Sequence, residues 1–288
     1  MLLEVKVRAP AKVNIGLRVY PRREDGFHDI ESIFQTISFY DDIDVKLLLE
    51  KNVCRVYCAQ MQLPAHNTIT AAYTAFCRLT GKTDGVQVTL TKRIPAGGGL
   101  GGGSSDAAAF IKALATLTKT ELTLELADAV SASVGSDVFF FMHCAEDKSG
   151  AAVVTGRGDV VLPIEPRTDL YFVLIMPDVH SSTKEAYTLV DNILEEEADF
   201  QFPPLKELTK LYYGPLKSWT FANAFTLALK RKYPVIGDAL QDIQKSGAVW
   251  AEMTGSGAVV FGAYDSAVAA KTAYDLLRKS WKRCVLAQ

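Results

Sequence analysis

From Glu4 to Tyr20 apolar residues fall on alternate positions: Val5 and Val7, then beyond Pro10 the series Ala11, Val13, Ile15, Leu17 and Val19. A period of two predicts a strand, with Lys12, Asn14, Gly16 and Arg18 forming its solvated face. Arg22–His28 reads as a charged turn centred on Asp25-Gly26, and two more strands follow, near Glu31–Ser38 and near Ile43–Leu49. Asn67 stands before the stripe Ile69, Ala72, Tyr73, Phe76 and Leu79, and Gly81 closes it, which predicts a capped helix. Val86, Val88 and Leu90 alternate with Gln87, Thr89 and Thr91 in a strand that runs into a glycine-rich loop. Beyond the loop, Ser104 or Ser105 serves as N-cap and Asp106 suits the first turn of a helix whose inward stripe is Ala107, Phe110, Ile111, Leu114 and Leu117. A second helix spans Leu124–Val134 and stops at Gly135, and Gly150–Ile164 reads as a hairpin with Thr155–Asp159 at its tip.

The pattern resets at Pro166-Arg167-Thr168, which places a boundary between 1–166 and 167–288. Tyr171–Met176 is a buried strand, and Thr183–Leu194 a helix with Glu195-Glu196-Glu197 as its solvated end. Leu205–Leu211, Trp219–Lys232 and Pro234–Lys245 follow as helices, the last stopped by Gly247. Strands Ala248–Met253 and Ala258–Tyr264, a helix capped by Asp265 and a strand at Cys284–Leu286 complete a β-α-β-β-α-β order with helices inserted. The fold class is α+β.

Composition narrows the function classes. The chain has 288 residues, 49% hydrophobic and 22% charged, with a formal net charge of −2. Without a basic block, nucleic acid is not the expected partner, although a local positive cleft for a phosphorylated small molecule is compatible with this balance. No apolar run approaches the roughly 18 residues of a membrane span, and the start of the chain lacks a signal-peptide core, so a cytoplasmic protein is expected. The five cysteines (Cys54, Cys58, Cys77, Cys144, Cys284) are odd in number and form no C-x-x-C pair, which reads as reduced packing residues. His28, His66, His143 and His180 lack metal-ligand spacing, so no resident metal site is expected, and any metal arrives with substrate.

The loop Pro95-Ala96-Gly97-Gly98-Gly99-Leu100-Gly101-Gly102-Gly103-Ser104-Ser105 has six glycines in seven residues. Glycines bury no side chain and lose much backbone entropy on ordering, so such a run points to binding rather than to packing. Backbone without Cβ atoms approaches a ligand closely, and the helix that follows directs its positive end at an anion; phosphate is the expected guest. A dinucleotide-binding reading is weak, because so many glycines match its spacing automatically and the preceding strand is half polar. Gly98 to Gly103 has Walker spacing, but Ser104 stands where that loop requires lysine.

Around the loop lie candidate chemical groups. Lys12 and Asn14 share one strand face, about 7 Å apart. Phe27 is either a core anchor or a platform for a planar ring, with His28 supplying a hydrogen bond. Asp137 is a helix cap or a general base, and either loop serine suits phosphate or Mg²⁺.

Three ordered motifs, Pro10-Ala11-Lys12-Val13-Asn14, Pro95 through Gly-Leu-Gly-Gly-Gly-Ser-Ser, and Thr254-Gly255-Ser256-Gly257-Ala258, resemble those of the GHMP kinases, named for galactokinase, homoserine kinase, mevalonate kinase and phosphomevalonate kinase. Asp25-Gly26-Phe27-His28, Gly135-Ser136-Asp137-Val138 and Gly156-Arg157-Gly158 are similar to the branch of that superfamily serving the non-mevalonate isoprenoid route. The resemblance implies an N-terminal nucleotide-binding α+β domain, a C-terminal ferredoxin-like domain, and ATP-dependent phosphorylation of the 2-hydroxyl of a cytidine-diphosphate methylerythritol, with Mg²⁺ bridging the phosphates. It implies that Asp137 accepts the hydroxyl proton, that Lys12 holds Asp137 ionised and neutralises charge near the γ-phosphate, and that Pro95–Ser105 wraps ATP. Asn14 would orient substrate, Phe27, His28, Thr183 and Tyr187 would receive the cytidine, and Thr254, Gly255, Ser256 and Gly257 would approach the phosphate region. The chain departs from the family in three places: Phe27 stands where tyrosine is usual, Asn223-Ala224 where Asn-Asp is usual, and His143–Ser149 is longer and more polar than the usual glycine turn. The alternatives are another GHMP small-molecule kinase, of homoserine or mevalonate type, and a nucleotide-binding protein without transfer activity.

Overall fold

The computed structural model describes residues 3–143, 150–179, 181–196 and 202–288. Cys144, the rest of 144–149, His180 and Glu197 therefore lie outside the described residues. Contacts divide the chain into two interleaved units: 1–11, 39–96 and 101–148 form one, and 12–38, 97–100 and 149–288 form the other. The strands β1 (Glu4–Arg22) and β2 (His28–Lys51) pair with each other, and each passes through both units.

In the first unit the later half of β2 pairs antiparallel with β4 (Asp84–Thr91), which pairs parallel with β3 (Cys54–Cys58). Helices α1 (Thr68–Thr80), α2 (Gly102–Thr118), α3 (Leu124–Val134) and α4 (Ser136–His143) pack together, burying Ile69, Phe76, Phe110, Ile111, Leu114, Val130 and Phe140. Asn67 caps α1 as its sequence predicts: its side chain accepts from the Ile69 and Thr70 N–H groups, and the Thr70 hydroxyl accepts in return from the Asn67 N–H.

In the second unit the early half of β2 pairs with β5 (Ala151–Thr155), which forms the expected hairpin with β6 (Val160–Ile164). Strands β7 (Tyr171–Ile175), β8 (Trp250–Met253), β9 (Val260–Tyr264) and β10 (Cys284–Ala287) form an antiparallel sheet in the order β10-β7-β9-β8. That order is the one a β-α-β-β-α-β chain of ferredoxin-like type produces. Helices α5 (Thr183–Glu196), α6 (Leu205–Tyr213), α7 (Ala224–Lys232), α8 (Pro234–Lys245) and α9 (Ala267–Leu277) complete the unit.

Several expectations are corrected. The strands expected near Glu31–Ser38 and Ile43–Leu49 are one continuous β2. Asp41, which lies in the gap between those two expected strands, is fully buried and satisfied by the Arg93 and Ile94 N–H groups and by Lys92, so the strand continues through it. Helix α2 is entered through Gly101 in the left-handed region at φ 69°, not through a serine cap. Helix α7 begins at Ala224 rather than at Trp219; the Ala222 carbonyl accepts from the Leu17 N–H, which holds that segment extended along β1. Ser266, not Asp265, caps α9, and its hydroxyl accepts from the Ala269 N–H. The edge strand β3 has no counterpart in the sequence reading, although Cys54, Val56 and Cys58 alternate with the exposed Arg55 and Tyr57. Cys54, Cys58, Cys77 and Cys284 are free thiols, and burial pushes Cys54 up to about 12 and Cys284 up to about 11.

Candidate active site

The second face of β1 is not solvated. Lys12 and Asn14 are both buried, because that face lies under the segment 97–100 and under Thr254. Burying an ammonium is costly unless its donors find acceptors. Lys12 Nζ donates to Asn14 Oδ1 at 2.7 Å and lies 4.4 Å from the centre of the Phe34 ring, a cation–π contact in a dry environment. Asn14 Nδ2 donates to Ser32 Oγ at 3.1 Å, and the Ser32 hydroxyl in turn donates to the Gly16 carbonyl at 2.5 Å. Asn14 is thereby held with its carbonyl toward Lys12, an orientation fixed by the donors and acceptors around it.

The glycine loop is shaped by three left-handed residues at alternate positions, Gly97, Gly99 and Gly101, with φ of 70°, 75° and 69°. Such alternation turns successive backbone N–H groups toward one concavity, the arrangement that binds anions. At Gly99 a second constraint applies, since a Cβ there would sit 2.0 Å from the Thr254 carbonyl oxygen. The Leu100 carbonyl accepts from the Lys12 N–H at 3.0 Å, so the loop is attached to β1 at the residue that carries the buried ammonium. In the helix that follows, Ser105 Oγ is buried and has no hydrogen-bond partner among the described residues.

Within the first unit Lys92 joins two carboxylates. Its ammonium donates to Asp106 Oδ2 at 2.7 Å and also to Asp41; both aspartates are buried and the lysine side chain is mostly covered. Burial pushes the Asp106 carboxyl up to about 7, with Lys92 pulling it down and Asp41 pushing it further up. This cluster is missing from the sequence reading, which places Asp106 at a helix start as an acid suited to the dipole. The available signal was the pairing of one lysine at the end of β4 with an acid one residue beyond the loop serines. Asp137 is half-buried in the first turn of α4.

The residues expected at a nucleobase divide. His28 stacks on Tyr187, with ring centroids 4.8 Å apart and planes inclined by 25°, and Tyr187 meets Phe225 edge-on at 4.9 Å. His28 Nδ1 lies 2.8 Å from the Tyr20 carbonyl, which can only accept, so that nitrogen carries the proton; Nε2 lies 3.4 Å from Asp191 Oδ1. Phe27 is exposed, with the Arg157 guanidinium 4.8 Å from its ring centre. Thr183 and Ser256 share a hydroxyl–hydroxyl hydrogen bond at 3.2 Å.

Where the family usually has Asn-Asp, Asn223 caps α7 by accepting from the Phe225 N–H at 2.9 Å, and the first turn carries no acid. A carboxylate arrives from β8 instead: Glu252 accepts from the Asn223 N–H at 3.2 Å and the Thr226 hydroxyl at 2.6 Å. Burial raises the Glu252 carboxyl above its ordinary value, and these hydrogen bonds oppose the shift.

Among the described residues, no helix is long and apolar enough to cross a membrane. The sequence profile of the GHMP kinases N terminal domain matches residues 67–145, and that of the GHMP kinases C terminal domain matches residues 204–283. The chain is 40% identical to a 4-diphosphocytidyl-2-C-methyl-D-erythritol kinase of Treponema pallidum, covering 98% of this chain and 97% of the relative. It is 37% identical to the kinase of the same name from Thermotoga maritima, over 88% and 90%. A crystal structure of 4-(cytidine 5'-diphospho)-2C-methyl-D-erythritol kinase superposes with a TM-score of 0.77 at 29% identity, covering 98% of both chains.

Proposed function

The chain belongs to the GHMP kinases and, within them, to the 4-diphosphocytidyl-2-C-methyl-D-erythritol kinases, and from that premise we infer the reaction and the duties of its residues. The reaction transfers the γ-phosphoryl group of ATP to the 2-hydroxyl of 4-diphosphocytidyl-2-C-methyl-D-erythritol, giving the 2-phosphate and ADP, a step toward isoprenoid precursors. Both reactants are water-soluble, and we place the reaction in the cytoplasm. In chain order, 1–166 carries the ATP motifs and 167–288 the C-terminal part of the enzyme.

The observation that carries this reading is the buried ammonium of Lys12, aligned by Asn14 and attached through its own backbone to the glycine loop. Phosphoryl transfer needs little covalent help; it needs positioned positive charge and an anion cradle. The residues Pro95–Ser105 supply the cradle, and Lys12 offsets the charge that grows on the γ-phosphoryl oxygens. Asp137 accepts the proton of the 2-hydroxyl as its oxygen bonds to the γ-phosphorus, while the bond from that phosphorus to the bridging oxygen breaks and ADP leaves. The orphaned Ser105 hydroxyl is a hard oxygen donor beside the cradle and suits Mg²⁺, which would be held by Ser104 or Ser105 together with the phosphates. When bound, that ion neutralises phosphate charge.

Tyr187 and His28 form the platform for the cytosine ring, with Phe27 as a second aromatic surface and Thr183 close by; Gly255, Ser256 and Gly257 border the phosphate region. Cytidine recognition separates this assignment from a homoserine or mevalonate kinase. ADP release in the presence of Mg-ATP, compared among the cytidine-diphosphate methylerythritol, homoserine and mevalonate, tests it. Turnover confined to the last two would sink the substrate assignment, and turnover of none would leave a nucleotide-binding protein.

A further inference from the structure

Resting on that reading of Lys12 and the glycine loop, we propose that Thr254 is a positioning residue: a buried hydroxyl clip that sets Lys12 and the loop in register with each other, rather than a group that meets the substrate. Thr254 is fully buried. Its Oγ1 accepts from the Asn14 N–H at 3.0 Å and lies 3.2 Å from Asn14 Oδ1 and 3.1 Å from the Gly99 carbonyl, so its single proton serves two acceptors on different segments. One oxygen atom therefore joins β1, the glycine loop and the loop after β8.

Each segment joined there bears on the transfer chemistry. Asn14 Oδ1 is also the acceptor of the Lys12 ammonium, and the Gly99 backbone is left-handed and in van der Waals contact with Thr254 and Gly255. The clip is itself held from behind: Asn223 Nδ2 donates to the Met253 carbonyl at 2.8 Å and to the Gly255 carbonyl at 2.9 Å, gripping the backbone on both sides of Thr254. The threonine hydroxyl is thus committed to internal partners, and removing it leaves the buried Asn14 N–H without that acceptor and releases the half-buried Gly99 carbonyl from its tie to β1. The Asn14 backbone regains a partner by shifting while the loop loses its tether, so Lys12 and the cradle fall out of register, and misplacement of that kind is expensive in rate.

The experiment compares Thr254→Val, which keeps the shape and deletes the hydroxyl, with Thr254→Ser, which keeps the hydroxyl, in the full chain. Thermal melts establish that both variants are folded. Thr254→Val is expected to lower kcat by about 10-fold or more and to weaken ADP binding in calorimetry several-fold, with KM for the cytidine acceptor within about twofold of the parent; Thr254→Ser recovers most of both losses. A Val variant with parental kcat and ADP affinity overturns the clip, as does a Ser variant as impaired as the Val variant, since the methyl group would then be what matters. A Val variant too unstable to assay passes the decision to Asn223→Ala, which leaves the hydroxyl in place; the clip requires the same kcat and ADP losses there, and their absence overturns it. ADP binding needs no acceptor, so a parent protein inactive on the cytidine substrate but showing the Val/Ser split in ADP affinity would refute the substrate reading and leave the clip standing.

Discussion

Lys12 Nζ donates to Asn14 Oδ1 at 2.7 Å, two positions along one strand, with both side chains buried. Neighbouring residues on a strand face are about 7 Å apart at their backbones, so the contact is made by the lysine side chain bending back over Asn14 rather than extending away. Replacing Asn14 by leucine keeps the volume and removes the acceptor. Asn14→Leu is expected to lower kcat by about 10-fold or more, with a smaller change in KM for ATP, measured by steady-state ADP release. An unchanged kcat would show that Lys12 does not need Asn14 to act.

Asp137 provides a cleaner separation of binding from chemistry. Asp137→Asn preserves size and removes the basic oxygen, so kcat is expected to fall by at least about 10²-fold while nucleotide affinity stays nearly intact. Calorimetry with ADP alongside the rate assay distinguishes the two effects. Full turnover in the variant would remove Asp137 from the mechanism.

The stacked pair of His28 and Tyr187 makes a claim about the acceptor rather than the donor. A base on an aromatic platform is worth about 1–3 kcal/mol, so Tyr187→Ala is expected to raise KM for the cytidine substrate about 10-fold or more, with KM for ATP unchanged. Tyr187→Phe keeps the ring and stays close to the parent. Equal damage from the two substitutions would assign the role to the hydroxyl instead.

Where apolar periodicity carries the information, the sequence reads well: the α1 cap at Asn67, the α3 stop at Gly135, the β5–β6 hairpin and the β-α-β-β-α-β order all stand in the structure. Its misplaced caps are shifts of a few residues, whereas its misreadings at the site share one cause, namely polar residues buried by partners far along the chain. Asp41 lies in the gap left between two expected strands, which Lys92 and the Arg93 and Ile94 N–H groups close, and Lys12 with Asn14 looks like a wet surface until Thr254 and the glycine loop cover it. Periodicity reports which face is apolar, not whether a polar face has been matched donor to acceptor. The same blindness hides Glu252, whose carboxylate serves the start of α7 where the adjacent position, Ala224, has none.

The Asp41–Lys92–Asp106 cluster predicts how stability follows pH. With both acids ionised it holds two negative charges and one positive in a buried site, and burial raises the Asp106 carboxyl from 3.8 to about 7. A carboxyl with a higher pKa in the folded than in the unfolded state binds its proton more tightly when folded, so the native state gains stability as pH falls through about 7 toward 4 and loses it as pH rises again. Asparagine at this position stays neutral throughout and leaves Lys92 paired with Asp41 alone. The melting temperature of the parent minus that of Asp106→Asn should therefore increase as pH is lowered from about 8 to about 5, setting in as pH drops to about 7 and still growing at about 5. The comparison cancels the titration of every other group that the substitution leaves alone, which isolates this carboxyl from the general acid response of the fold. A difference that is flat across the range, or that shrinks toward low pH, would mean that Asp106 is ionised in the folded protein throughout and that Lys92 outweighs burial.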